Sequence, residues 1–132
     1  MLSRPTATRS YGTRVLVIDD DATYRAAVRI GLEKAGCEVF EADHGLAGLE
    51  MARTAQPSII LLDVVMPVMD GIEFLKVKQA DSRIMFIPVV VVSAHELGVG
   101  ARVARQLRKP VSMEMLLSVI RVVVGVSRWG NS

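Results

Sequence analysis

Ser58-Ile59-Ile60-Leu61-Leu62-Asp63 is a short apolar run that ends on a carboxylate. Its apolar residues do not alternate with polar ones, so a strand formed here needs cover on both faces. Two further runs share that character, Val15-Leu16-Val17-Ile18 and Val89-Val90-Val91-Val92. A weaker run is Cys37-Glu38-Val39-Phe40, and a fifth strand of poor pattern is expected at Ala104–Arg108. Brief, continuous β-branched runs of this kind belong to a parallel sheet between two layers of helices.

Helix signals fill the intervals. Ala22–Ala35 sets Tyr24, Ala27, Val28, Gly31 and Leu32 near one face, with Gly36 as its stop. His44–Arg53 carries Leu46, Leu49 and Met51 and ends before Pro57. Gly71–Ala80 follows the turn signal Met69-Asp70-Gly71 and carries Ile72 and Leu75. Ser112 is placed to cap a last helix, Met113–Val124. Strand and helix alternate nearly five times over, which predicts a doubly wound α/β domain with right-handed crossovers.

The chain has 132 residues, enough for one domain with its own core. Hydrophobic residues make up 51%, which excludes a disordered chain. Cys37 is the single cysteine, so no intramolecular disulfide forms, and a reducing, cytoplasmic setting is expected. No apolar run reaches the roughly 18 residues of a membrane span, and no membrane partner is expected. The first 13 residues lack an apolar stretch and are read as a flexible lead-in, with the domain at 14–126 and a tail at 127–132. Sixteen basic and 14 acidic residues leave a net charge of +2, and no direct nucleic-acid partner is expected. The local excess at Arg102, Arg105, Arg108 and Lys109 is read as a solvated basic edge.

In open α/β sheets, ligands bind beyond the carboxyl ends of the strands. Asp19, Asp20 and Asp21 follow the first run, Asp63 the third, Ser93 the fourth and Lys109 the weak fifth. Each has an ordinary structural reading alone: Asp21 as a helix cap with Thr23 as competitor, Ser93 as a turn residue, Lys109 as an exposed cation. Their arrival on one rim does not. Clustered carboxylates call for protonation or a cation, and an oxygen-only set suits Mg²⁺. A carboxylate can attack phosphorus, so Asp63, central in the sheet, is the candidate for an aspartyl-phosphate. Lys109 would add fixed positive charge, and the Ser93 hydroxyl could sense the phosphoryl group.

These residues resemble the receiver domain of two-component response regulators. Val15-Leu16-Val17-Ile18-Asp19-Asp20-Asp21 looks like that family's first strand and acidic pair. The stretch from Leu61 to Gly71 resembles its phosphoacceptor strand and loop, Pro88 to Ala94 its fourth strand with the Ser/Thr, and Lys109-Pro110 its Lys-Pro pair. The resemblance implies a five-stranded sheet of order 2-1-3-4-5, as in flavodoxin. It implies phosphorylation on Asp63 and a Mg²⁺ site made of Asp19, Asp20, Asp63 and the backbone carbonyl of Val65. Ser93 would be the switch hydroxyl, Lys109 the phosphoryl contact, and the Lys109–Pro110 peptide cis. The implied partners are a sensor histidine kinase or a histidine phosphotransfer protein, together with an unknown downstream protein. The activity implied is that of a switch, with only self-phosphoryl transfer and slow loss of the group.

The departures lie on the output side. Ser93 and Lys109 stand 109 − 93 = 16 positions apart, about one and a half helical turns short of the family's usual allotment. Gly98 and Gly100 fall between them, so a fourth helix, between the fourth and fifth strands, is expected to be shortened or missing. Gln106 stands where the family usually places an aromatic. Uncovered sheet and the apolar last helix suggest a partner or homodimer surface within Ser93–Val124; alternatively, Arg102–Arg108 folds over the gap. Val65 and His95 occupy the positions that govern water's access to the phosphoryl group, and an apolar Val65 predicts slow self-dephosphorylation. A haloacid-dehalogenase-like phosphohydrolase is the enzyme alternative, but its general acid would stand at Val65. A pseudo-receiver that is never phosphorylated is the third reading. The chain is expected to stand alone, or else to be a piece of a longer regulator or hybrid kinase.

Overall fold

The computed structural model describes residues 12–66, 69–95 and 102–130, with side chains through residue 125. Five strands form one parallel sheet: β1 (Arg14–Ile18), β2 (Glu38–Ala42), β3 (Ile59–Leu62), β4 (Val89–Ser93) and β5 (Arg105–Arg108). Their order is β2-β1-β3-β4-β5, as expected. Four helices are described: α1 (Ala22–Lys34), α2 (Gly45–Ala55), α3 (Gly71–Gln79) and α4 (Met113–Gly130).

The three continuous apolar runs became the three central strands because each side chain there meets a helix layer. Val15, Val17, Ile59, Leu61, Val90 and Val92 point to one face, against α1 and α4. Leu16, Ile18, Ile60, Leu62, Val89 and Val91 point to the other, against α2 and α3. Ile18, Ile60 and Leu62 are fully buried, and each such side chain contributes about 1.5–3 kcal/mol of transfer free energy.

The edge strands differ from expectation by small, explicable shifts. Cys37 does not open β2; its N–H donates to the Leu32 carbonyl oxygen at 3.0 Å, closing α1, with Gly36 at φ +92° just before it. β2 then starts at Glu38 and pairs only with β1, from Arg14–Glu38 to Ile18–Ala42. β5 pairs only with β4 and is largely exposed, so its sequence carries little apolar signal. α4 runs on from Val124 to Gly130.

The shortened fourth helix falls mainly on residues 96–101, outside the described residues. Among the described residues, no helix stands between β4 and β5. Val89 and Val91 are nonetheless buried, and Val103 packs against their cluster, so this part of the sheet is covered. On α4, Leu116, Val119, Ile120 and Val124 are used in the core, while Met115 and Val122 face outward. Arg102, Arg105 and Arg108 are exposed, in keeping with a solvated basic edge.

Candidate functional site

Four strand ends and two helix starts set the site. The Asp19 N–H donates to the Ala42 carbonyl oxygen at 3.1 Å, and the Asp63 N–H to that of Ile18 at 3.0 Å. The ladders thus extend one residue past β1 and β3, and they hold both carboxylates on the sheet rim. Asp21 caps α1, accepting the Thr23 and Tyr24 N–H groups at 3.0 and 3.1 Å. Below the Asp63 loop, Asp70 and Glu73 form a capping box at the start of α3. Gly71 lets that helix approach: a Cβ there would lie 2.6 Å from the Val64 Cα.

Asp19, Asp63 and Ser93 are buried, whereas Asp20 is exposed at the mouth. One carboxylate oxygen from each of Asp19, Asp20 and Asp63 lies within 4.8 Å of the others. The Ser93 hydroxyl donates to Asp63 Oδ1 at 2.7 Å, and the Val65 N–H donates to the same oxygen at 3.2 Å. Lys109 Nζ donates to Asp19 Oδ2 at 2.7 Å and stands 3.5 Å from Asp63 Oδ2. The Lys109 N–H donates to the Ser93 carbonyl oxygen at 3.0 Å, which fixes where the lysine enters. The Lys109–Pro110 peptide is cis, as expected.

Burial pushes the Asp19 carboxyl above its ordinary range, opposed by the Lys109 hydrogen bond and the Asp21 N–H. Burial also disfavours the Lys109 ammonium, but the Asp19 hydrogen bond and the charges of Asp19 and Asp63 outweigh it, so its pKa rises. An oxygen-only triad with no histidine or cysteine fits a hard, largely hydrated cation such as Mg²⁺. All five expected side chains, Asp19, Asp20, Asp63, Ser93 and Lys109, thus meet on one rim, with Val65 exposed beside them.

A match to the sequence pattern of the response regulator receiver domain covers residues 15–121. The chain belongs to that family. Over 119 residues this receiver is 33% identical to the protein PilH of Pseudomonas aeruginosa, covering 84% of this chain and 97% of PilH. It is 34% identical to the transcriptional regulatory protein CseB of Streptomyces coelicolor over 91% of this chain, but spans only 52% of CseB. The solved structure of chemotaxis protein CheY4 from Vibrio cholerae superposes with a TM-score of 0.78 at 32% identity, covering 84% of this chain and 98% of CheY4. Receivers of this family are signalling switches of two-component systems and not classical enzymes. They bind Mg²⁺ at an acidic site, and this receiver carries such a cluster.

Two residues near the site were not singled out by the sequence reading. Tyr24 was placed only on the core face of α1, yet its ring lies 4.1 Å from Lys109 Nζ, measured to the centroid. Arg25 Nη1 donates to the Asp19 carbonyl oxygen at 2.6 Å, while its Nε donates to Glu41 on β2 at 3.1 Å. The available signal was position: both lie in the first turn of the helix that follows the acidic run, and that turn leans over the rim.

Proposed function

We propose that this receiver takes a phosphoryl group on Asp63 from a histidine kinase or a histidine phosphotransfer protein, with Mg²⁺, and changes its protein contacts in response. The observation that carries the reading is the Asp63 carboxylate itself. It is buried, with Oδ1 held by two donors and Oδ2 facing the Lys109 ammonium.

Asp19, Asp20, Asp63 and the Val65 carbonyl would hold the cation. When bound, it would neutralise charge on the incoming phosphoryl oxygens. The chain's own groups do the rest. Ser93 and the Val65 N–H, which now donate to Oδ1, are donors within reach of a phosphoryl group on this carboxylate. Lys109 offsets the added negative charge. Ser93 is linked onward, because its hydroxyl oxygen accepts the His95 N–H at 3.2 Å. A change at Ser93 is therefore felt at the start of the β4–β5 connection. The output would pass through that connection, β5 with Gln106, and the outward side of α4 with Met115 and Val122. A homodimer is one form it could take.

The test is incubation with Mg²⁺ and acetyl phosphate, followed by intact mass and sedimentation. An adduct that needs Mg²⁺ and disappears in Asp63→Asn is expected. A wild-type protein that gains no mass would sink the phosphoacceptor reading and favour a pseudo-receiver. A shift in sedimentation with the adduct would identify self-association as the output.

A further inference from the structure

We infer that Tyr24 is a positioning residue whose ring face keeps the Lys109 ammonium beside Asp63 once Asp19 is engaged by a cation. The inference rests on the phosphoacceptor reading above and concerns how that site stays assembled.

Lys109 has one short contact and two longer ones. Its ammonium is 2.7 Å from Asp19 Oδ2, 3.5 Å from Asp63 Oδ2 and 4.1 Å from the centre of the Tyr24 ring. The shortest contact is to Asp19, a residue of the acidic triad. When Asp19 turns to a divalent cation, Lys109 loses its best acceptor and meets a like charge. A lysine freed in this way has a flexible four-carbon stem and strongly hydrated ammonium, so solvent competes for it. It would leave Asp63 at the stage when its charge is required there.

The ring face answers that problem. It attracts a cation through its quadrupole, carries no net charge to bind the metal, and is already in place. Its position is fixed from two sides. The Tyr24 N–H is tied to the Asp21 cap at 3.1 Å, and the side chain packs against the core cluster that α1 shares with α4. Tyr24 also lines the small cavity bounded by Asp19, Asp63 and Val92. Lys109 is only 20% exposed, so the contact is partly desolvated, where cation–π attraction is strongest.

The prediction separates the ring from the hydroxyl and binding from positioning. At saturating Mg²⁺, Tyr24→Leu should slow phosphoryl uptake from acetyl phosphate about fivefold, and Tyr24→Phe should retain most of the rate. The Mg²⁺ affinity measured by calorimetry should be little altered in either. In a Lys109→Ala background, Tyr24→Leu should cause no further loss. Uptake unaffected by Tyr24→Leu, or slowed by the same factor without Lys109, would overturn the proposal. A second readout needs no phosphoryl transfer. With Mg²⁺ bound, the Lys109 Cε methylene protons should be shifted upfield by the ring in wild type and Tyr24→Phe, and not in Tyr24→Leu. An unshifted methylene in wild type would refute the contact even if phosphorylation proceeds. A wild type that shows the shift but takes no phosphoryl group would instead refute the phosphoacceptor reading alone.

Discussion

Asp63 has two oxygens in different company. Oδ1 accepts from the Ser93 hydroxyl and the Val65 N–H, so its lone pairs are engaged; Oδ2 looks toward Lys109 with no donor closer than 3.5 Å in the contacts described. On the proposed phosphoacceptor role, this asymmetry would make Oδ2 the more available nucleophile. Val65, whose N–H donates to Oδ1, is 52% exposed and puts an apolar residue next to the site. A valine side chain offers no hydrogen bond to orient an attacking water. The acyl phosphate is therefore expected to outlive the seconds scale, and Val65→Asn to shorten its life severalfold, as followed by phosphate release. A wild-type lifetime of only seconds would count against this account. Most of the site's residues could be read from the sequence because each follows directly on a strand. Tyr24 and Arg25 could not, since their roles depend on how the first turn of α1 tilts over the rim.

At the scale of elements, α3 acts as a prop beneath the loop that carries Asp63. Its capping box, the Gly71 N–H to Val64 carbonyl bond of 3.0 Å and the missing Cβ of Gly71 all serve one close approach. Gly71→Ala puts a methyl 2.6 Å from backbone, which cannot yield as a flexible side chain would. We expect a loss of about 1–3 kcal/mol in chemical denaturation, with weaker Mg²⁺ binding because the Asp63–Val65 loop is lifted. Unchanged stability would mean that the loop accommodates the methyl without strain. The central strands were readable because burial on both faces forces an unbroken apolar run. β2 and β5 were blurred because each has one pairing partner. The last helix was expected to end at Val124, just before Gly125, but α4 runs on through that glycine to Gly130.

The molecule as a whole divides by function along the strand direction. The rim at the carboxyl ends holds the acidic site, while the opposite end holds a structural ion-pair knot. There Asp81, after α3, accepts from Arg53 of α2 at 2.9 Å and from Arg83 at 2.9 and 3.0 Å. Hydrogen bonds from Arg83, then Arg53, hold the Asp81 carboxyl well below its ordinary range. The sign follows directly. The folded state binds this proton less readily than the unfolded chain, so the contribution is present above the ordinary aspartate pKa and is lost as pH falls. Asp81→Asn should therefore lower the melting temperature at neutral pH, and the gap from wild type should close from about pH 5 downward. A gap that stays constant into acid would show that Asp81 acts through shape and not charge. Fold class was legible at this scale because alternating strands and helices admit few topologies, and the strand order came from the resemblance to receiver domains. Whether the sheet beside β4 would be covered was left between two readings, because the segment around Val103, which packs against that cluster, has no periodic pattern.

Cys37 gives this architecture a built-in clock. The thiol sits 7% exposed behind the turn that closes α1, at the end of the sheet away from the acidic rim. An alkylating reagent reaches so buried a thiol mainly during local openings of the cluster around it, so the labelling rate counts those openings. With no second thiol to confuse the signal, the protein as it stands can report whether an event at Asp63 is sensed across the full length of the strands.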